Sequence, residues 1–200
     1  MIEAELKARV RDPEEVARRL GQYGTSRVER YWDTYYDDDG RTLSGRDQEL
    51  RVRTVENARG KRSVLTFKGA VIDAESGSKP EHESEIAEVE ALHAILRGLG
   101  YRPFIAFEKR CRNYEFEARG RRMLATLVRV PEIEGDYLEV ETLVESSDDL
   151  PAALAGIREV LAELGIGEAE LTRELYTEAV AASRWTNERS ARSEAGQVPT

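Results

Sequence analysis

Charged and apolar residues alternate along the first ten positions. Glu3, Glu5, Lys7 and Arg9 fall on one side of an extended chain, and Ile2, Leu6 and Val10 on the other. This period of two predicts a strand over Met1–Arg11. Asp12-Pro13-Glu14-Glu15 then reads as a helix start, with Asp12 as cap, Pro13 in the first turn and acidic residues at the positive end. The helix is expected to run to Leu20 and stop at Gly21. Arg27 to Asp37 is aromatic and β-prone, and Asp38-Asp39-Gly40 turns the chain. Glu49–Val55 and Arg62–Lys68 read as a hairpin around Asn57, Ala58 and Gly60. Ala74–Pro80 is a polar loop, Glu81–Ala87 a strand, and Val89–Leu99 a helix ending at Gly100. Three strands follow, Phe104–Phe116, Arg122–Val130 and Tyr137–Val144, separated by turns at Gly120 and at Pro131–Gly135. Leu150–Leu164 and Leu171 to about Ala182 complete the pattern as helices. From Ser183 the chain is polar and patternless, so one domain is expected over 1–182 and a disordered tail over 183–200.

About eight strands joined by hairpins and short crossovers predict an α+β fold: an eight-stranded antiparallel β-barrel with peripheral helices. Closure removes the sheet edges that an open arrangement would expose. The strand faces carry the functional signal. Arg51 shares a face with Arg53, Arg62 with Thr66 and Lys68, Glu83 with Glu85, and Glu139 with Glu141. Lys109 lies on the corresponding face of the long strand, and Arg110 points the other way. Anionic and cationic strands thus alternate. With those faces inward, the lumen gathers many carboxylates and bases. Such burial is costly unless the charges are paired, solvated or liganded. A hard divalent cation suits the carboxylates, and a polyphosphate suits Arg and Lys.

The charge balance fits this picture. The 200 residues include 30 Lys and Arg against 39 Asp and Glu, a formal net charge of -9, with 34% charged and 40% hydrophobic residues. An acidic chain argues against non-specific nucleic-acid binding. No apolar run is long enough for a membrane helix. The opening Met1–Glu5 has no basic stretch of the signal-peptide kind, and the single cysteine, Cys111, excludes an internal disulfide. Both lead to an expected cytoplasmic location. There is no Walker-type glycine loop and no paired-cysteine motif, and His82 and His93 stand alone.

The order of several short segments resembles the CYTH superfamily of triphosphate tunnel metalloenzymes, which groups class IV adenylyl cyclases of the CyaB type with thiamine and inorganic triphosphatases. Glu3-Ala4-Glu5-Leu6-Lys7 is similar to its ExExK signature. Asp33–Asp37 resembles its second-strand motif, Leu50–Arg53 its LRxR, Leu65–Gly69 its LTxKG, and Glu83–Glu85 its mid-chain ExE. Phe107–Arg110 resembles its later basic strand, and Gly135–Glu141 its closing GxFxExE segment. The resemblance runs from Ile2 to about Tyr176. It implies metal binding by Glu3, Glu5, Glu139 and Glu141, with Mg2+ or Mn2+ as cofactor. It implies a triphosphate held by Lys7, Arg51, Arg53, Lys68 and Lys109, with Arg110 as a further candidate and Glu83 and Glu85 on the opposite wall. Glu3, Glu5 and Lys7 form the expected catalytic group. The substrate would be ATP, thiamine triphosphate or tripolyphosphate, turned over by a cyclase or a triphosphatase, or held without turnover. The resemblance is compatible with a homodimer. Two positions depart from the family pattern. Val128 stands where many members carry an aspartate. Cys111 stands where the basic strand usually places an arginine, unless a bulge brings Arg110 or Arg112 inward.

Overall fold

The computed structural model describes residues 1–74 and 76–195. Its strands are β1 (Ile2–Val10), β2 (Ser26–Asp37), β3 (Glu49–Asn57), β4 (Gly60–Lys68), β5 (Lys79–Ile86), β6 (Arg102–Ala118), β7 (Arg121–Arg129) and β8 (Asp136–Val144). Its helices are α1 (Pro13–Leu20), the single turn α2 (Thr42–Gly45), α3 (Val89–Gly98), α4 (Leu150–Glu163) and α5 (Tyr176–Ala195). The strands close into an antiparallel barrel in the order β1-β5-β4-β3-β2-β6-β7-β8. The first strand makes the closure. It pairs with β8 along its whole length, Ile2 opposite Val144 through Val10 opposite Asp136, and meets β5 only where Ile2 and Glu3 lie opposite Pro80 and Lys79.

The apolar faces turn outward, as the alternation requires, and helices cover them. Ala4, Leu6 and Ala8 of β1, Ala125 and Leu127 of β7, and Leu138 and Val140 of β8 are buried with Val16 and Leu20 of α1 and Leu154, Ile157 and Leu161 of α4. Each fully buried Leu, Ile or Val contributes about 1.5–3 kcal/mol, so this layer is the main thermodynamic anchor of the barrel. A smaller layer puts Leu96 of α3 with Tyr36, Leu50 and Val52. Asp12 caps α1 by accepting from the Glu15 N–H at 3.0 Å. No described helix is long and apolar enough to cross a membrane.

Three segments differ from the sequence-based expectation. The residues 171–175 are not helical, because the start of this segment is tied to β1. Leu171 bridges Ala8, and the Thr172 N–H donates to the Lys7 carbonyl at 2.8 Å. The following helix continues to Ala195, where a tail was expected from Ser183. Ser183 Oγ donates to the Glu132 carbonyl at 2.6 Å, and Arg184 binds the Glu132 carboxylate and the Ala106 carbonyl. The residues that follow include Arg, Glu and Ala, with neither Gly nor Pro through position 195, so the helix needs no amphipathic pattern to persist. Residues 196–200 of the expected tail lie outside the described residues. Finally, α2 forms because Asp37 accepts from the N–H groups of Leu43 and Ser44, each at 2.9 Å.

Candidate active site

The inward faces enclose a cavity of about 380 Å³ lined mostly by charged side chains. One wall is acidic. Glu5 lies opposite Glu141 and Lys7 opposite Glu139 in the β1–β8 pair. Glu3, Glu5 and Glu141 each offer a carboxylate oxygen within 4.8 Å of the others. Burial, then the charges of Glu3 and Glu139, push the Glu5 carboxyl up to about 7. Burial and the neighbouring Glu3 and Glu5 hold Glu141 well above the ordinary carboxylate range, and burial likewise raises Glu3. Glu139 behaves oppositely. Burial opposes its ionisation, but Lys109 and Lys7 outweigh it and lower the carboxyl to about 2.

The facing wall is basic. Arg53 makes a two-pronged contact with Asp33, Nε and Nη2 each at 2.7 Å from a carboxylate oxygen. Arg51 lies 3.9 Å from the same carboxylate and donates to Thr66 Oγ1 at 3.3 Å. Thr66 in turn donates to Glu83 at 2.7 Å. Asp33 is fully buried. Burial alone would raise its carboxyl, but Arg53 and Arg51 bring it down to about 2. Lys68 bridges the walls. Its ammonium binds Glu3, sits 3.0 Å from Glu81 and lies 3.9 Å from Glu5. Lys109 approaches Glu139 at 3.4 Å. Lys7 donates to the Glu174 carbonyl. Both Lys7 and Lys109 lie near the Tyr176 ring, 4.5 and 4.3 Å from its centre.

The structure brings Glu3, Glu5, Lys7, Arg51, Arg53, Lys68, Glu83, Lys109, Glu139 and Glu141 to this one cavity. Glu85 is exposed further along β5 and does not line it. Arg110, expected as a further phosphate contact, instead faces outward, where its Nε donates to Glu108 at 2.8 Å. The long strand pairs without interruption from Arg110 to Arg112 against both neighbours, so no bulge turns either flanking arginine inward. Cys111 and Val128 lie opposite each other in an apolar cluster with Tyr31, Tyr35, Val55, Tyr137 and Tyr176. Burial pushes the Cys111 thiol up to about 12, so little reactive thiolate forms there at neutral pH.

Several residues at or just behind the lumen carry no assigned role in the sequence pattern. Asp33 carried a usable signal, since it shares strand parity with Tyr31 and Tyr35. Glu81 shares parity with Glu83 but looked like a strand start after Pro80. Lys79, which donates to Glu49 at 2.7 Å, falls in a stretch that reads as a polar loop. Tyr176 lay inside an expected helix whose true start it is.

The acidic wall fits a divalent metal. Its donors are all carboxylate oxygens, three of them converge, and burial, reinforced by the neighbouring acids, raises all three carboxyls. This sets a pH-dependent expectation. A carboxyl with a raised folded-state pKa keeps its proton above pH 4.5, where the unfolded chain has lost it. Metal-free stability therefore falls as pH rises from about 4.5 through about 7. A bound cation relieves that penalty. The Mg2+-induced rise in melting temperature should be larger at pH 8 than at pH 5.5, and equal shifts at both would contradict the assignment.

A closed antiparallel barrel whose lumen sets a carboxylate cluster against a basic wall is the architecture of a triphosphate tunnel. The family comparison agrees: the CYTH domain model matches residues 1–176, and the chain belongs to the CYTH domain family. It is 25% identical over 180 residues to a Methanocaldococcus jannaschii protein described as "Putative adenylate cyclase MJ0240", covering 89% of this chain and 98% of that one. The PH1819 protein of Pyrococcus horikoshii superposes with a TM-score of 0.77 at 27% identity, over 91% of this chain and 99% of the other. The HpAC1 protein of Hippeastrum, described as having a dominant triphosphatase activity, shares the fold with a TM-score of 0.62 at 16% identity, over 90% and 95% of the two chains.

Proposed function

We propose that this protein is a divalent-metal-dependent enzyme that cleaves a triphosphate compound inside the barrel, with hydrolysis as the reaction its cavity supports best. The observation that carries the reading is the convergence of Glu3, Glu5 and Glu141 across one lumen from Arg51, Arg53, Lys68 and Lys109. Glu3, Glu5 and Glu141 would hold Mg2+ or Mn2+, with Glu139 beside them. A cation held there supplies charge neutralisation at phosphate oxygens and polarises the reacting phosphoryl group. The chain supplies the rest. Arg51 and Arg53 are pre-aligned by Asp33 and Thr66, so their N–H groups are fixed before a phosphate arrives. Lys7, Lys68 and Lys109 add compact point charges. Phosphoryl transfer needs little more than such positioning and charge neutralisation, and no side-chain nucleophile is required.

Hydrolysis is favoured over cyclisation because the lining is dominated by groups that suit metal and phosphate rather than a nucleoside. ATP, thiamine triphosphate and inorganic tripolyphosphate are the candidate substrates, and a cytoplasmic, Mg2+-rich compartment suits both the site and the buried free thiol. The test is product analysis with all three in Mg2+ and in Mn2+. Phosphate release supports hydrolysis, whereas pyrophosphate with cyclic AMP would make the protein a cyclase. Tight tripolyphosphate binding without turnover would favour a binding module, a reading motivated by Val128 and Cys111. Within the hydrolase reading, Lys68→Ala should weaken tripolyphosphate affinity about tenfold or more. Isothermal titration checks this, and an unchanged affinity would remove Lys68 from the site.

A further inference from the structure

We infer that Tyr176 is a positioning residue for the triphosphate site: its ring holds Lys7 and Lys109 at the spacing in which they meet the phosphates. The inference rests on the proposed triphosphate reading and adds a residue that acts through others. Tyr176 is the first residue of α5 and is buried in the lumen, with Tyr137 packed edge-on against it at 5.2 Å. The ammonium groups of Lys7 and Lys109 lie 4.5 and 4.3 Å from the centre of this one ring. They come from two strands, β1 and β6, that β8 and β7 separate in the barrel. Two like charges converging on one point need compensation. The electron-rich ring face supplies part of it, and Glu139, 3.4 Å from Lys109, supplies more.

The segment leading into Tyr176 reinforces the same contact. The Thr172 N–H donates to the Lys7 carbonyl at 2.8 Å, and Lys7 Nζ donates to the Glu174 carbonyl. Residues 172–176 therefore grip Lys7 by both its backbone and its side chain. A lysine on a flexible four-carbon stem would otherwise lose much conformational freedom on meeting a phosphate. Held over the ring, it has lost that freedom already. This also explains why the chain after β8 crosses back over β1 before α5 begins: it delivers an aromatic face to two lysines that strand geometry alone would leave unsteered.

The ring and the hydroxyl are separable. The Tyr176 hydroxyl is buried beside the Glu139 carboxylate, whereas the ring face meets both lysines, so Tyr176→Phe keeps most of the proposed function and Tyr176→Leu removes it. Tripolyphosphate affinity measured by isothermal titration should weaken about tenfold in Tyr176→Leu and stay within about twofold in Tyr176→Phe. In steady-state turnover the leucine variant should raise KM more than it lowers kcat. The side-chain methylene protons of Lys7 and Lys109 should show upfield ring-current shifts by NMR in the wild type and in Tyr176→Phe. This readout needs neither substrate nor a variant. Absent shifts in the wild type, a leucine variant with wild-type affinity, or a phenylalanine variant as impaired as leucine would each overturn the inference while leaving the triphosphate reading intact. Wild-type protein that binds no tripolyphosphate but shows the shifts would instead remove the triphosphate reading, and the phosphate-positioning role with it.

Discussion

Asp33→Ala is expected to lower the free energy of unfolding by about 3–5 kcal/mol, the range for removing one partner of a buried ion pair. Asp33 is fully buried, and its carboxylate is the shared counter-ion of Arg53 and Arg51. Without it, two guanidinium groups remain in the lumen with little access to water. A guanidinium keeps its proton even when buried, so neither can escape by becoming neutral. In a chain of this length the loss corresponds to a melting-temperature drop of roughly 10 °C. A polyphosphate that binds the bared arginines should restore part of it. Urea unfolding with and without tripolyphosphate measures both effects. A loss below about 1 kcal/mol would mean that water or a neighbouring acid already serves the arginines, and that Asp33 does not set their geometry.

The barrel and most of this charge arrangement could be read from residue order because strand alternation is a local signal. Glu3, Glu5 and Lys7 fix one face of β1 by spacing alone, and the same argument places Arg51 with Arg53 and Glu139 with Glu141. Parity also separates Lys109 from Arg110, and the outward Arg110 follows from that rule because the pairing of β6 runs unbroken from Lys109 to Arg112. What could not be read depends on contacts between distant parts of the chain. The run 171–175 looks helical until β1 is available to pair with its start. The continuation of α5 past Ser183 is stabilised by Glu132 and Ala106, which no local pattern announces. Glu81 gives no local signal because its partner, Lys68, is a neighbour only across β4 and β5.

Those distant contacts also show how the lumen tolerates its charges without ligand. Lys68 stands between Glu3 and Glu81 as an internal cation, and Arg53 is neutralised by Asp33. The basic side chains are thus already ordered by acids of the same cavity. A phosphate chain that enters must compete for them, while a divalent ion would free Lys68 by taking over its carboxylate partner Glu3. Metal and phosphate are therefore expected to bind with positive coupling, each easing the entry of the other.

Glu5→Gln should move stability and activity in opposite directions. The wild-type carboxyl is raised to about 7 by burial and by the charges of Glu3 and Glu139, so at pH 8 it is ionised in a place that disfavours it. Replacing it with a neutral amide of the same shape removes that penalty. The metal-free variant should gain stability on the order of 1–2 kcal/mol at pH 8, after allowance for solvent screening, and almost nothing at pH 4.5, where the wild-type group is already protonated. The same change takes one of three converging ligands from the metal site. Metal-supported turnover should then fall by about 100-fold or more, as befits a charge that acts directly at the reacting centre. Thermal melts at the two pH values and a metal titration of activity measure the pair. A variant that is less stable at pH 8, or one that keeps full metal-dependent activity, would show that Glu5 is a structural acid rather than a strained ligand.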